Sequence, residues 1–270
     1  MKTMEHAAER QGLRDKLRTL AAITVATSSL LACSNAAEAT PPTTFTTATA
    51  TEAPVPIPTP ELPVPSPTRA VDCMVQRCIA LTFDDGPGIY TEQLLDMLQE
   101  RNAKATFFVV GTEAEGFVPT IQRTHSEGHQ IGTHSWSHKL LTRMSAADAA
   151  ADTERTNKLV FDITGEMPTI MRPPYGGTNQ AIIDEIAMPE ILWSIDPQDW
   201  KYKSSHYVAN HIINHAHRGA IVLMHDIHGT TVDAVPQVVD TLLAQGYTLV
   251  TIDELLGKNL PPGTYRQQDI

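Results

Sequence analysis

The chain is short of positive charge: 20 Lys and Arg stand against 31 Asp and Glu in 270 residues, a formal net charge of −11. Five of the Lys/Arg and three of the Asp/Glu fall within residues 1–32, so the remainder carries 15 against 28, a net −13. Phosphate contacts need clustered Lys and Arg, so this balance disfavours nucleic acid as a partner and suits a neutral polymer or a small molecule. Cysteine is equally scarce, with residues only at 33, 73 and 78. With no second close pair to complete it, a cysteine-based zinc site is disfavoured. The apolar, small-residue stretch from Leu20 to Ala32 is too short for a stable membrane span, and no internal repeat is visible.

What is present at the start has the layout of an export signal. Lys2, Arg10, Arg14, Lys16 and Arg18 precede the apolar stretch, which stops at Cys33. The residues Leu30-Leu31-Ala32-Cys33 resemble the lipobox of bacterial lipoproteins. That resemblance implies a signal over 1–33, lipidation of Cys33 and a membrane anchor facing the cell wall; the alternative is an ordinary secretory signal with Cys33 incidental. From 34 to 70 the composition collapses mainly to Ala, Thr, Pro, Val and Glu, with prolines at 54, 56, 58, 60, 63, 65 and 67. Closely spaced prolines favour extended conformations, so this segment reads as a disordered but semi-rigid linker. In an exported protein the close pair Cys73 and Cys78 reads as a disulfide, a short clamp at the entrance of the domain that follows.

Residues 71–270 are enough for one sizeable domain. Within them short apolar runs alternate with helix-period segments. Ile79 to Phe83 precedes Glu92 to Glu100, Ala105 to Val110 precedes Val118 to Glu127, and Gln130 to Gly132 follows. Ser145, with Asp148 three residues on, opens a long Ala-rich helix in the manner of a capping box. Strand-like Thr169 to Met171, Ile191 to Ile195, Ala220 to Met224 and Thr248 to Thr251 then alternate with helices at Gln180 to Ala187, Ser205 to His217 and Val232 to Gln245, before a last helix to Leu256. Repeated strand-then-helix units call for a parallel α/β sheet, either an open doubly wound one or a barrel.

Polar clusters punctuate the ends of these strands. The first is Asp84-Asp85-Gly86-Pro87, which by itself is ordinary turn chemistry. Side chains alternate along an extended segment, so the two acids are not expected to duplicate each other. His134-Ser135-Trp136-Ser137-His138 places two imidazoles four residues apart, which on a helical turn would face the same way and could share a metal ion with Asp85. The second position is Ser135 and not the Glu of a zincin protease, so a base must come from elsewhere. Three further clusters follow: Arg172-Pro173-Pro174-Tyr175-Gly176, Asp196-Pro197-Gln198-Asp199-Trp200 and Leu223-Met224-His225-Asp226. Clusters at successive carboxyl-terminal strand ends converge on one face of a parallel barrel.

These five segments, in this order, resemble the motifs of the polysaccharide deacetylase family, carbohydrate esterase family four, with its NodB homology domain. The resemblance spans roughly Cys78 to Leu256 and implies a distorted, incomplete (β/α) barrel. It further implies that Asp85, His134 and His138 hold one divalent metal, zinc or else cobalt or another ion. Asp84 would be the catalytic base, Arg172 its holder, His225 the catalytic acid and Asp199 its partner. The Tyr175 backbone N–H would serve the oxyanion, while Trp200 and Leu223 would line the acetyl pocket. Pro189, ahead of Trp193, is the chief departure from the family pattern and shifts a loop.

The activity so implied is metal-dependent removal of N-acetyl groups from a cell-surface polysaccharide, most naturally the N-acetylglucosamine of peptidoglycan. Alternatives are a chitooligosaccharide deacetylase, an acetylxylan esterase, or a non-catalytic carbohydrate-binding lipoprotein, and no protein partner is implied. His206, His211, His215 and His217 crowd one amphipathic segment without an accompanying carboxylate motif and read as a solvated face. His228 reads as loop decoration beside His225, and Trp136 as either a sugar platform or simple packing.

Overall fold

The computed structural model describes residues 71–269; the leader, Cys33 and the Pro-rich segment expected over 1–70 lie outside the described residues. The structure is built on parallel strands β1 (Arg77–Asp84), β2 (Thr106–Val109), β3 (Gln130–Thr133), β4 (Pro189–Ile191), β5 (Ile221–His225), β6 (Tyr247–Val250) and β7 (Gly263–Tyr265). Its longer helices are α1 (Thr91–Glu100), α2 (Val118–Ser126), α3 (Ala146–Thr164), α4 (Gln180–Ile186), α5 (Ser205–His215) and α6 (Val235–Ala244). One-turn helices at Asp199–Tyr202, Gly229–Val232 and Ile252–Leu256 fill several connections.

Strand β1 is the hub. Its carboxyl half pairs with β2 and with β5, its amino half pairs with β6, and β2 continues to β3. Isolated bridges carry the curve onward, from Thr133 to Met171 and from Met171 to Glu190 in β4. The chain leaving β4 then reaches Ile195, which bridges to Val222 in β5 and so returns the sheet toward β1. The result is a distorted, incomplete (β/α) barrel whose weak side is joined by single bridges where a regular barrel has full strands.

Alternation along β1 sorts its side chains into two layers, because successive residues of a strand face opposite ways. Ile79, Leu81 and Phe83 pack in the larger apolar cluster with Leu94, Leu98, Val238 and Leu242 of α1 and α6. Cys78 and Ala80 point the other way, into a second cluster with Phe108, Ile170, Ile191 and Ile221. The same inward row continues to Thr82 and Asp84, both buried, so the register that builds the core also delivers an acid to its open end. Cys73 and Cys78 form a disulfide with Cα atoms 5.4 Å apart at the start of β1.

Helix boundaries follow local chemistry. Ser145 Oγ accepts from the Asp148 N–H to open α3, and Gly165, with φ 78, closes it. Thr251 and Glu254 form a reciprocal capping box. Several expected elements shrink: the strand expected over Thr169 to Met171 is reduced to the bridge at Met171, and α5 stops at His215. Pro189 is the first residue of β4, a position where a missing N–H is tolerated, and its carbonyl accepts from the Met171 N–H, so the proline starts a strand where a shifted loop was expected. Strand β7 has no counterpart in the expected alternation; it pairs with β4 through Glu190 and Thr264.

Candidate active site

The register of β1 against β5 sets Asp84 directly beside His225, and each is the last residue of its strand. His134 follows β3 at the same level, its N–H donating to Val109 O at 2.8 Å, while Arg172 follows the Met171 bridge and donates its N–H to Thr133 O. Together with the Asp196–Trp200 segment, five sequence clusters thereby meet at one end of the barrel, around a cavity of about 570 Å3 that Asp84, Asp85, His134, His138, Trp200 and His225 help to line. Leu223 and Tyr175 also line it, with Tyr175 in the left-handed region (φ 60), 70% exposed as a residue, and its ring 4.8 Å from that of His138.

On one side Asp84 is 2% exposed, and its Oδ1 accepts from Arg172 Nη1 at 2.6 Å. Arg172 is fully buried and every donor group is committed. Nε gives to Ile191 O at 2.7 Å, Nη2 to Leu192 O at 3.1 Å and Nη1 also to Thr82 Oγ1 at 2.8 Å, with Phe108 beneath the guanidinium. Burial pulls Arg172 below its ordinary pKa, and the charge of Asp84 opposes that pull. A buried guanidinium bonded this completely fixes the carboxylate that faces it.

Asp85 lies past the end of β1 in the left-handed region (φ 71). This turn, and not alternation alone, separates it from Asp84 and carries its Oδ1 to 3.1 Å from His138 Nε2 and 3.4 Å from His134 Nε2. The turn depends on Gly86, where a Cβ would lie 2.3 Å from the carboxyl group of Asp226. Asp226 is itself buried, accepts from Thr91 Oγ1 at 2.5 Å, and is raised by burial to about 7.

His134 Nδ1 donates to Arg172 O at 2.7 Å, which fixes the tautomer and leaves Nε2 as a lone-pair donor toward Asp85. Asp85 Oδ1 is buried with no hydrogen-bond partner among the described residues. Burial alone would push the Asp85 carboxyl up, yet the N–H groups and charge of the two imidazoles, in their protonated forms, hold it well below the usual carboxylate range. One atom from each of Asp85, His134 and His138 lies within 4.8 Å of the others. An orphaned carboxylate oxygen between two imidazole nitrogens is a donor set that fits one divalent ion.

The two imidazoles do not lie on a helical turn. Residues 134–138 form an irregular loop in which Ser135 (φ 63) and His138 (φ 50) are both left-handed, and these two residues bring the rings to 4.9 Å. Trp136 is packing and not a sugar platform: it is 8% exposed, Arg155 covers its ring, and Gly111 leaves the space it occupies.

Beside Asp84 on the neighbouring strand, His225 Nδ1 donates to Asp199 Oδ1 at 2.8 Å, which leaves Nε2 free to face the cavity that His225 lines. Asp199 is fully buried and is further held by the His225 N–H, Thr231 Oγ1 and the Trp200 N–H. Burial disfavours a charged His225, but the bond to and charge of Asp199 overcome it and raise the imidazole to about 9. Asp199 shows the reciprocal effect: burial raises it, and His225 and Thr231 bring it below the ordinary carboxylate value. The arrangement therefore sets a carboxylate and a protonatable imidazole in one cavity with a three-ligand donor set. His228 flanks this imidazole at 6.0 Å between rings, while His206, His215 and His217 are exposed on or just beyond α5.

A family model described as polysaccharide deacetylase matches residues 72–188. The chain is 47% identical over 186 residues to peptidoglycan-N-acetylglucosamine deacetylase PgdA of Listeria monocytogenes, an alignment that covers 68% of this chain and 40% of that protein. The chain thus spans about 40% of the length of the curated relatives it first matches. The solved structure of peptidoglycan deacetylase PdaC from Bacillus subtilis superposes with a TM-score of 0.67 at 41% identity, covering 68% of this chain and 92% of that one. A family 4 acetyl xylan esterase from Clostridium thermocellum, solved in complex with a cobalt ion, gives 0.68 at 31% identity over 72% of this chain and all of the other.

Proposed function

The chain belongs to the polysaccharide deacetylase family, and from that premise and the site's geometry we propose that it hydrolyses N-acetyl groups on a surface polysaccharide, with the N-acetylglucosamine of peptidoglycan as substrate. The observation that carries this reading is that Asp84, held by Arg172, and His225, held by Asp199, line one cavity that also contains the Asp85, His134 and His138 donor set. Amide hydrolysis needs a base and an acid at the same carbon, and this arrangement supplies both from different residues.

Asp85, His134 and His138 would hold the ion, for which zinc suits the ligand types. Once bound, it supplies Lewis acidity and brings the pKa of coordinated water to about 7. Asp84, the general base, takes the proton of the attacking water while Arg172 keeps its carboxylate aimed. The Tyr175 backbone N–H donates to the oxyanion that develops on the acetamide oxygen. The departing amine leaves poorly unless protonated, and His225, raised to about 9, carries the proton it receives. Trp200 and Leu223 bound the space for the acetyl methyl.

A leader over 1–33 with Cys33 lipidated, and a proline-rich spacer over 34–70, would hold the domain of 71–270 at the cell surface facing the wall; mass spectrometry of the mature amino terminus checks this. The names of the relatives support peptidoglycan as substrate, and the esterase neighbour supports acetylxylan as a second reading. Acetate release measured with the metal-loaded chain on peptidoglycan, chitooligosaccharides and acetylxylan distinguishes them. Release from peptidoglycan above the other two is expected, and silence on all three would favour a binding protein.

A further inference from the structure

Residues 134–138 contain two left-handed positions that carry side chains, a conformation that costs energy wherever a Cβ is present and persists only where the surroundings enforce it. The enforcing contacts come chiefly from α3. Asp152 Oδ2 accepts from the Trp136 N–H at 2.8 Å and the Ser137 N–H at 3.2 Å, and its Oδ1 accepts from Ser137 Oγ at 2.9 Å. Less than one turn further along α3, the Arg155 guanidinium carbon sits 3.4 Å from the centre of the Trp136 ring. From the other side Gly111 and Thr112 donate their N–H groups to Ser135 O and Trp136 O, both at 3.1 Å. Within the loop, Ser135 Oγ accepts from the His138 N–H at 3.1 Å. Asp152 is thus the side chain that holds the middle of the segment whose two ends are His134 and His138.

We propose that Asp152 is a positioning residue for metal binding, bracing the irregular loop so that both imidazoles meet the carboxylate of Asp85. The inference rests on the reading of Asp85, His134 and His138 as metal ligands. Asp152 touches neither the ligand atoms nor Asp84 or His225, so its removal should alter metal affinity selectively. Residues that orient first ligands commonly contribute about 10- to 100-fold in affinity.

The test is calorimetric titration of the chelator-stripped chain with Zn2+ alone, alongside thermal melts of the metal-free proteins. Asp152→Ala should weaken Zn2+ binding about 10- to 100-fold, and deacetylation should recover to within a few-fold of the parent at saturating Zn2+. Asp152→Asn keeps an oxygen for the two backbone N–H groups and should rescue most of the affinity. If Asp152→Ala does not fold, Ser137→Ala removes one of the three bonds and should weaken binding by about two- to fivefold. Affinity within twofold of the parent in Asp152→Ala, or in Ser137→Ala where Asp152→Ala does not fold, overturns the brace. A parent chain that binds no Zn2+ overturns the ligand reading beneath it.

Discussion

Two pairs of histidines in this chain share one spacing and have opposite surroundings. His134 and His138 stand four apart, as do His211 and His215, and both pairs bring their rings within 5 Å, at 4.9 and 4.2 Å. The second pair lies on the regular helix α5, stacked face to face, with His215 Nδ1 donating back to His211 O. His211 is partly exposed and His215 exposed, and neither makes an ion pair with a carboxylate among the described residues. The first pair lies on a loop, His134 is 3% exposed, and a buried carboxylate oxygen without another partner among the described residues sits between the rings. Spacing alone therefore does not make a metal site. What distinguishes the first pair is a buried carboxylate oxygen set between both imidazole nitrogens, a three-ligand donor set that the second pair lacks among the described residues.

Breaking the first pair should have the largest effect. His134→Ala is expected to abolish stoichiometric metal binding and, with it, turnover; titration calorimetry and acetate release report the two losses. Next in size is Asp199→Ala, which removes the partner of His225. Its rate should fall about 10²-fold at pH 7, in the range of a positioned acid. The sign of the accompanying pH effect is fixed: a raised imidazole holds its proton below about 9 and loses it above, so the parent's activity should decline as pH rises through about 9. In Asp199→Ala this limb should move down toward the ordinary histidine value near 6.5, and an unmoved limb would remove His225 from the acid's role. The smallest effect belongs to the second pair. His211→Ala and His215→Ala should leave metal stoichiometry and turnover unchanged and stability within about 0.5 kcal/mol, as surface substitutions usually do.

Much of the site was legible in the sequence because strand ends announce themselves. Asp84, His134, Arg172 and His225 each follow an apolar run, and parallel pairing brings such positions to one end. The path between the two imidazoles was not legible: their spacing suggested a helical turn, while the loop is held by contacts from Gly111, Thr112 and Asp152, which are distant in sequence. Asp152 itself gave no signal, being one acid among several on an Ala-rich helix. Asp226 was visible only as the neighbour of His225, since its burial against Gly86 and Thr91 is a tertiary fact. The barrel's weak side escaped for the same reason, because Met171 and Ile195 contribute single bridges and β7 is three residues long.

The division of labour between adjacent acids is best tested by measuring metal stoichiometry and metal-saturated turnover together on Asp84→Asn and Asp85→Asn. Asp84→Asn should bind one ion with nearly the parent's affinity and turn over about 10² to 10⁴ times more slowly, whereas Asp85→Asn should lose the ion. Metal lost from Asp84→Asn while its metal-reconstituted turnover survives would contradict the assignment of the two carboxylates.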